Sequence, residues 1–107
     1  MTKDAISSSS MFFFTFTAKP KPESRNAKLY DGAYINCWIN FNLADGAKLL
    51  ARYYIEKRGW IATRKTDERW VEKEDYEPTP EWGVYFSEAE ESGACFVFHT
   101  YTRKLKK

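Results

Sequence analysis

The apolar pattern of the chain changes its period at Asn42, and this change constrains the fold more than any other feature. From Tyr34 to Phe41 the apolar side chains recur at every second residue, which is typical of a strand with one buried face. After Asn42 they recur at helical spacing, as a stripe made of Leu43, Ala47, Leu50, Ala51, Tyr54 and Ile55. A strand followed at once by an amphipathic helix excludes an all-helical fold and an all-β fold.

The residues that flank this stripe predict where the helix begins and ends. Asn42 is suited to the N-cap, and Asp45 places a carboxylate in the first turn, where the helix dipole favours negative charge. Lys57 and Arg58 suit the last turn, and Gly59 is the residue type that ends helices in the left-handed conformation. We therefore expect the helix to run from Leu43 to Arg58.

Three further regions have strand or helix patterns. Met11–Ala18 is rich in aromatic and β-branched residues, and the prolines that follow it predict the end of a strand. Trp60–Lys73 is long and charged in its middle, so we expect a hairpin of Trp60–Lys65 and Arg69–Lys73, one long strand being the alternative. Thr79-Pro80-Glu81 predicts the start of a second helix that ends at Gly93, before a last strand, Ala94–Thr102.

This order of elements predicts an α+β fold. Without the first strand it matches a ferredoxin-like two-layer sandwich, in which one antiparallel sheet carries two helices on one face. The N-terminal strand would then extend the sheet at an edge or pair across a dimer. We expect a disordered polar leader at 1–10, a single α+β domain at 11–102 and a basic tail at 103–107, and the sequence leaves open whether Met11 is the true start.

Composition narrows the class of protein. The 8 Phe, 7 Tyr and 4 Trp supply enough surface to bury that wholesale disorder is excluded. No window approaches the ~20 apolar residues of a membrane-spanning helix, and the apolar run at Met11 is too short for a secretory signal, so we expect a cytoplasmic protein. Cys37 and Cys95 have no metal-ligand spacing and suit buried reduced thiols, a single bridge being the alternative; no metal or cofactor is expected.

The net charge of +2 conceals an uneven distribution along the chain. From Asp67 to Glu91 there are ten acids and two bases, whereas the rest of the chain is basic. Such a segment is either a solvated face or a surface that attracts a basic partner. The leading hypothesis is a small non-catalytic protein-binding module, one concrete form being a bacterial immunity or antitoxin-like protein. Its candidate partner-binding residues are Trp70, Glu74, Asp75, Tyr76, Trp82, Glu88, Glu90 and Glu91.

The alternative hypothesis uses a sheet face. Strand alternation places Tyr34, Trp38, His99 and Tyr101 on a solvent-facing side of neighbouring strands, as a surface for a small ligand or an enzyme reaction. No nucleophile, phosphate loop or metal motif accompanies His99, the only histidine, so no catalytic residue is assigned and an enzyme is disfavoured. Nucleic acid is not expected, because Trp70 is followed by acids. A homodimer that exchanges the first strand is a third hypothesis.

Overall fold

The computed structural model describes residues 10–102. Of the expected leader and tail, only Ser10 is described, as the first residue of a strand; residues 1–9 and 103–107 lie outside the described part of the chain. The elements are β1 Ser10–Pro20, α1 Asn26–Leu29, β2 Gly32–Ile39, α2 Ala44–Lys57, β3 Trp60–Glu72, a 3-10 turn at Lys73–Tyr76, α3 Pro80–Ser92 and β4 Ala94–Tyr101.

The four strands form one antiparallel sheet in the order β3-β1-β2-β4. The predicted hairpin is absent, because β3 is one strand that pairs with β1 from Trp60 to Glu72 and absorbs its irregular middle in two register shifts. The first strand is therefore central, not at an edge, and the ferredoxin-like order is not confirmed. The physical reason is that β1 carries no charged residue from Ser10 to Ala18, which suits a strand paired on both sides, whereas the charged β3 tolerates an edge.

The two long helices lie on opposite faces of the sheet. On the face that we call the closed face, α2 packs Ala47, Ala51 and Ile55 against side chains that include Phe14 and Ile35. On the other, the half-open face, α3 packs Phe86 and Ala89 in a cluster with Met11, Trp38, Val71 and Cys95. The expectation of both helices on one face is thus not confirmed. The physical reason is that the large apolar side chains of Phe13 and Trp38 point to the half-open face, where they pack in the cluster under α3.

The helix boundaries agree with the sequence to within a residue or two. The predicted stops at Gly59 and Gly93 are confirmed, with φ of 87° and 100° in the left-handed region that glycine favours. The N-cap differs, because Leu43 rather than Asn42 occupies the position before α2 and makes no side-chain cap hydrogen bond. At the start of α3, Thr79 is the N-cap residue and Pro80 is the first helical residue, as predicted.

The two cysteines are free and lie on opposite faces. Cys37 belongs to the cluster under α2 and Cys95 to the cluster under α3, so their side chains are directed away from each other. Burial raises the pKa of the Cys37 thiol far above its ordinary range. Burial, with a smaller contribution from the Glu88 carboxylate, raises the pKa of Cys95 to about 11. Both are therefore protonated, unreactive thiols at neutral pH.

Candidate binding groove on the half-open face

Helix α3 covers only one end of the half-open face. Its C-terminus leads through Gly93 into the start of β4, where the cluster with Met11 and Cys95 is buried. Beyond the N-terminal turn of α3 the same face is polar and accessible. The strand register places these accessible side chains in neighbouring rows: Thr15, Thr17, Tyr34, Asn36 and His99.

A groove of about 310 Å³ lies where the helix gives way to the open sheet. Its apolar lining comes from the sheet and from the segment that follows β3, and consists of Phe13, Trp38, Val71, Tyr76 and Trp82. Its polar lining is supplied by the three strands beneath, and consists of Thr15, Asn36, Asp67 and Arg69. A concave, largely aromatic surface with a few converging polar groups is typical of binding sites.

Trp38 forms the fixed base of the aromatic lining. It is 1% exposed, so the sequence expectation that it faces solvent is wrong. Its indole Nε1 donates a hydrogen bond to the Tyr76 hydroxyl at 2.9 Å, and its ring stacks on Tyr85 with centroids 5.2 Å apart. The Phe13 ring also packs against Trp38, with ring centroids 5.0 Å apart. These contacts hold Trp38 and Tyr76 in one position.

Trp82 forms the accessible rim of the groove. It stands in the first turn of α3, is 43% exposed and packs edge-on against Tyr85, with ring centroids 6.1 Å apart. A half-exposed tryptophan at the mouth of a cavity presents a large apolar area that a partner can cover.

The polar rim opposite Trp82 is an ion pair. The Arg69 Nε donates to Asp67 Oδ2 at 2.9 Å, and the Arg69 guanidinium lies 6.0 Å from the ring centroid of Phe13. Both side chains are accessible, so the pair contributes at most about 1 kcal/mol to stability and is free to exchange partners.

A second polar chain runs from the groove across the open sheet. Thr15 Oγ1 donates to Asn36 Oδ1 at 3.0 Å, and Asn36 Nδ2 lies 3.5 Å from His99 Nε2. His99 is paired in the strand register with Tyr34, whose ring lies 5.6 Å from that of Tyr101. The structure therefore places Tyr34, His99 and Tyr101 together beside the groove, but of the four residues proposed for the ligand face only Trp38 lines it.

The eight residues proposed for partner binding do not form one surface. Tyr76 and Trp82 line the groove, but Trp70 lies on the opposite face, where it packs edge-on against Phe12 at 4.8 Å. Glu74 and Asp75 belong to the 3-10 turn, and the Asp75 carboxylate accepts a hydrogen bond from the Glu72 backbone N–H at 2.8 Å. Asp75 therefore has a local structural role.

The three glutamates at the end of α3 lie away from the groove. Glu90 forms an ion pair with Lys73 at 3.7 Å, and Glu88 lies beside Cys95. Glu91 is exposed on the same last turn. Since the groove is at the start of α3, these side chains contribute a long-range field to it and no contact.

The lining contains residues that the site hypotheses did not include. They are Phe13, Thr15, Asn36, Asp67, Arg69 and Val71. The period-two alternation of β1 already put Phe13 and Thr15 on one side of that strand. The sequence did not reveal that this side of β1 faces α3, because the position of α3 over it depends on β1 lying next to β3 in the sheet.

Comparison with known proteins gives no match: no family model, no curated protein and no solved structure is significantly similar to this chain. Within residues 10–102, no group of three His, Cys, Asp or Glu side chains is placed to hold a metal ion. In the same part of the chain, no helix is long and apolar enough to cross a membrane.

Proposed function

We propose that this protein is a non-catalytic binding protein that takes a basic segment of a partner protein on its half-open face. One observation carries the proposal: the acid-rich segment and the open sheet face meet at the groove. Five of the lining residues belong to the segment from Asp67 to Glu91, namely Asp67, Arg69, Val71, Tyr76 and Trp82.

The chemistry of the groove suits a cationic side chain of the partner. Aromatic faces attract a guanidinium or ammonium group, and the lining offers Trp82, Tyr76 and Phe13. Among the described ion pairs, the Asp67 carboxylate is paired with Arg69 alone. Because this carboxylate is accessible, an incoming arginine can replace Arg69 as its partner. Glu77 and Glu81, exposed and adjacent in sequence to Tyr76 and Trp82, add to the negative potential.

The partner class that this chemistry favours is a protein with a basic surface. One concrete version is an immunity protein that neutralises a basic toxin nuclease. In that version the aromatic rim supplies affinity and the surrounding acids accelerate the encounter, in a way that salt weakens.

The two half-exposed tryptophans on opposite faces make a matched test. An arginine-rich peptide and a glutamate-rich peptide of equal length are titrated into the wild type, Trp82→Ala and Trp70→Ala, with dissociation constants measured by calorimetry. We expect the basic peptide alone to bind, Trp82→Ala to weaken it at least tenfold, which is about 1.4 kcal/mol, and Trp70→Ala to leave it unchanged. Equal effects of the two substitutions, or equal binding of both peptides, would overturn the proposal.

A second candidate function is supported by the polar chain of Thr15, Asn36 and His99. These side chains converge beside the groove and could orient a small polar ligand, with Tyr34 and Tyr101 as a flat aromatic surface next to it. This ligand-binding or enzymatic function requires His99. His99→Ala is expected to abolish small-ligand binding while leaving the basic-peptide affinity unchanged, and a ligand that binds the variant as well as the wild type would exclude it.

A further inference from the structure

The two edges of the sheet differ in how they are protected. The β3 edge has two register shifts and charged side chains along its length, the usual features that prevent edge-to-edge pairing. The charged residues of β3 in this region are Arg64, Lys65, Asp67, Glu68, Arg69 and Glu72. By contrast, β4 is 8 residues of aromatic, small and β-branched character with one histidine, no proline and no lysine, arginine or carboxylate. Its register with β2 is uninterrupted.

The outward-directed backbone groups of β4 belong to alternate residues. The Asn40 N–H donates to the Gly93 carbonyl and the Asp31 N–H donates to the Tyr101 carbonyl, so the odd-numbered residues of β4 face β2. The N–H and C=O groups of Phe96, Phe98 and Thr100 must then face away from the sheet. No strand in the described part of the chain pairs with them.

We propose that a second copy of this chain pairs antiparallel along β4, with the two-fold axis at Phe98. In this arrangement Phe98 pairs with Phe98 of the second copy, and Phe96 pairs with Thr100 of the second copy. About six backbone hydrogen bonds form and the two four-stranded sheets become one continuous sheet. The inference is independent of the proposed function, because the groove lies over β1, β2 and β3 and stays open.

The side chains above the β4 edge favour such a partner. On the closed face Tyr54 is 40% exposed and packs edge-on against Phe96, with ring centroids 5.9 Å apart. Tyr53 continues this exposed aromatic surface, and the Arg58 guanidinium lies 5.2 Å from the Phe96 ring. A two-fold partner would cover these aromatic groups, the residue types that are enriched at interfaces.

The two-fold symmetry fixes the antiparallel direction. The same edge of β4 pairs with itself, and a two-fold axis at Phe98 reverses the direction of the second strand. The pairing edge itself brings no like charges together, because β4 has no lysine, arginine or carboxylate.

The test is the mass in solution of the full chain, measured by light scattering and sedimentation over a range of concentrations. The wild type is expected at twice the chain mass of 12.6 kDa. Thr100→Pro removes one outward N–H without breaking the pairing with β2, and Thr100→Lys places a charge on the edge; each is expected to raise the dimer dissociation constant at least tenfold. Thr66→Lys, an exposed site on β3, is the control that should leave it unchanged.

A second measurement covers variants that fold poorly. In the wild type, the amides of Phe96, Phe98 and Thr100 should exchange with solvent more slowly as protein concentration rises. A wild-type chain that stays at 12.6 kDa at the highest concentration, or a dimer that both Thr100 variants and Thr66→Lys weaken equally, would overturn the proposal.

Discussion

The two faces of the sheet are built from the same four strands, yet only on one of them are the side chains of the two central strands buried along most of their length. On the closed face α2 lies over the central strands, and Phe14, Phe16, Ile35 and Ile39 are each 0% exposed. On the half-open face α3 covers the end near Met11 and Cys95, and the remaining rows are polar. The sequence of the strands already shows this difference. In β1, Phe12, Phe14 and Phe16 face the closed side, and they alternate with Phe13, Thr15 and Thr17 on the half-open side.

This comparison separates residues that hold the fold from residues that are free to bind. A side chain under α2 has apolar neighbours on every side, so its truncation leaves a cavity. A side chain on the open rows contacts water on one side, so its removal changes little in stability and can change binding. The following predictions test that separation, from the largest expected effect to the smallest.

Truncation under α2 should have the largest effect. Phe14→Ala is expected to lower the free energy of unfolding by about 3–5 kcal/mol, because the ring is fully buried at the centre of the closed face. Tyr34→Ala, at a 51% exposed site on the half-open face, should change it by less than about 1 kcal/mol. Denaturant unfolding followed by fluorescence measures both, and similar losses would contradict the distinction between the faces.

The buried hydrogen bond at the base of the groove should have the next largest effect. Tyr76→Phe leaves the Trp38 indole N–H buried without its acceptor, at a cost of about 1–3 kcal/mol. Tyr85→Phe is the control, since the Tyr85 ring stacks on Trp38 while the indole N–H donates to Tyr76. Thermal unfolding of the two variants compares their losses in stability. A loss for Tyr85→Phe as large as that for Tyr76→Phe would show that the hydrogen bond to the Tyr76 hydroxyl is not the source of the stability.

The cysteine under α3 should make stability fall in alkaline solution. The pKa of Cys95 is raised to about 11, so above the ordinary thiol range the unfolded chain loses a proton that the folded chain retains. The contribution is complete below the unfolded pKa and is lost as the pH rises towards 11. Cys95→Ala should remove up to about 1.4 kcal/mol per pH unit of this decline between pH 9 and 11.

Urea unfolding at pH 7 and at pH 10 measures this change. The difference between wild type and Cys95→Ala should shrink at the higher pH, because the wild type has lost part of the contribution there. A constant difference at both pH values would show that Cys95 does not titrate as its burial implies.

The ion pair at the rim should have the smallest effect on stability. Asp67→Asn removes the partner of Arg69, and the pair is accessible, so the unfolding free energy should change by less than about 1 kcal/mol. The same substitution should weaken binding of the arginine-rich peptide severalfold, with less difference at high salt. A variant that loses stability but keeps its peptide affinity would place Asp67 in the fold and outside the site.

The local elements were predictable from the sequence, and their arrangement was not. Helical spacing and the glycines at 59 and 93 located both long helices, and alternation located three of the strands. The single strand from Trp60 to Glu72 was an open alternative, because a charged middle fits a hairpin turn as well as an exposed edge.

The site depended on that unresolved point. Once β3 is one strand beside β1, Asp67 and Arg69 lie next to Thr15 and Phe13, and the 3-10 turn brings Tyr76 onto Trp38. The sequence marked Tyr76, Trp82 and Trp38 for two separate hypotheses, since residues distant along the chain reveal their proximity only through strand order. Trp70 lies on the face opposite to the groove, because one residue of alternation decides which face a strand side chain occupies.

The four tryptophans supply the most direct test of the central claim, which is that the half-open face binds the partner. Trp38 and Trp82 report on that face, and Trp60 and Trp70 report on the closed face. In a two-dimensional proton–nitrogen spectrum, addition of the arginine-rich peptide should shift the indole signals of Trp82 and Trp38 and leave those of Trp60 and Trp70 in place. Shifts confined to Trp60 and Trp70 would contradict the account.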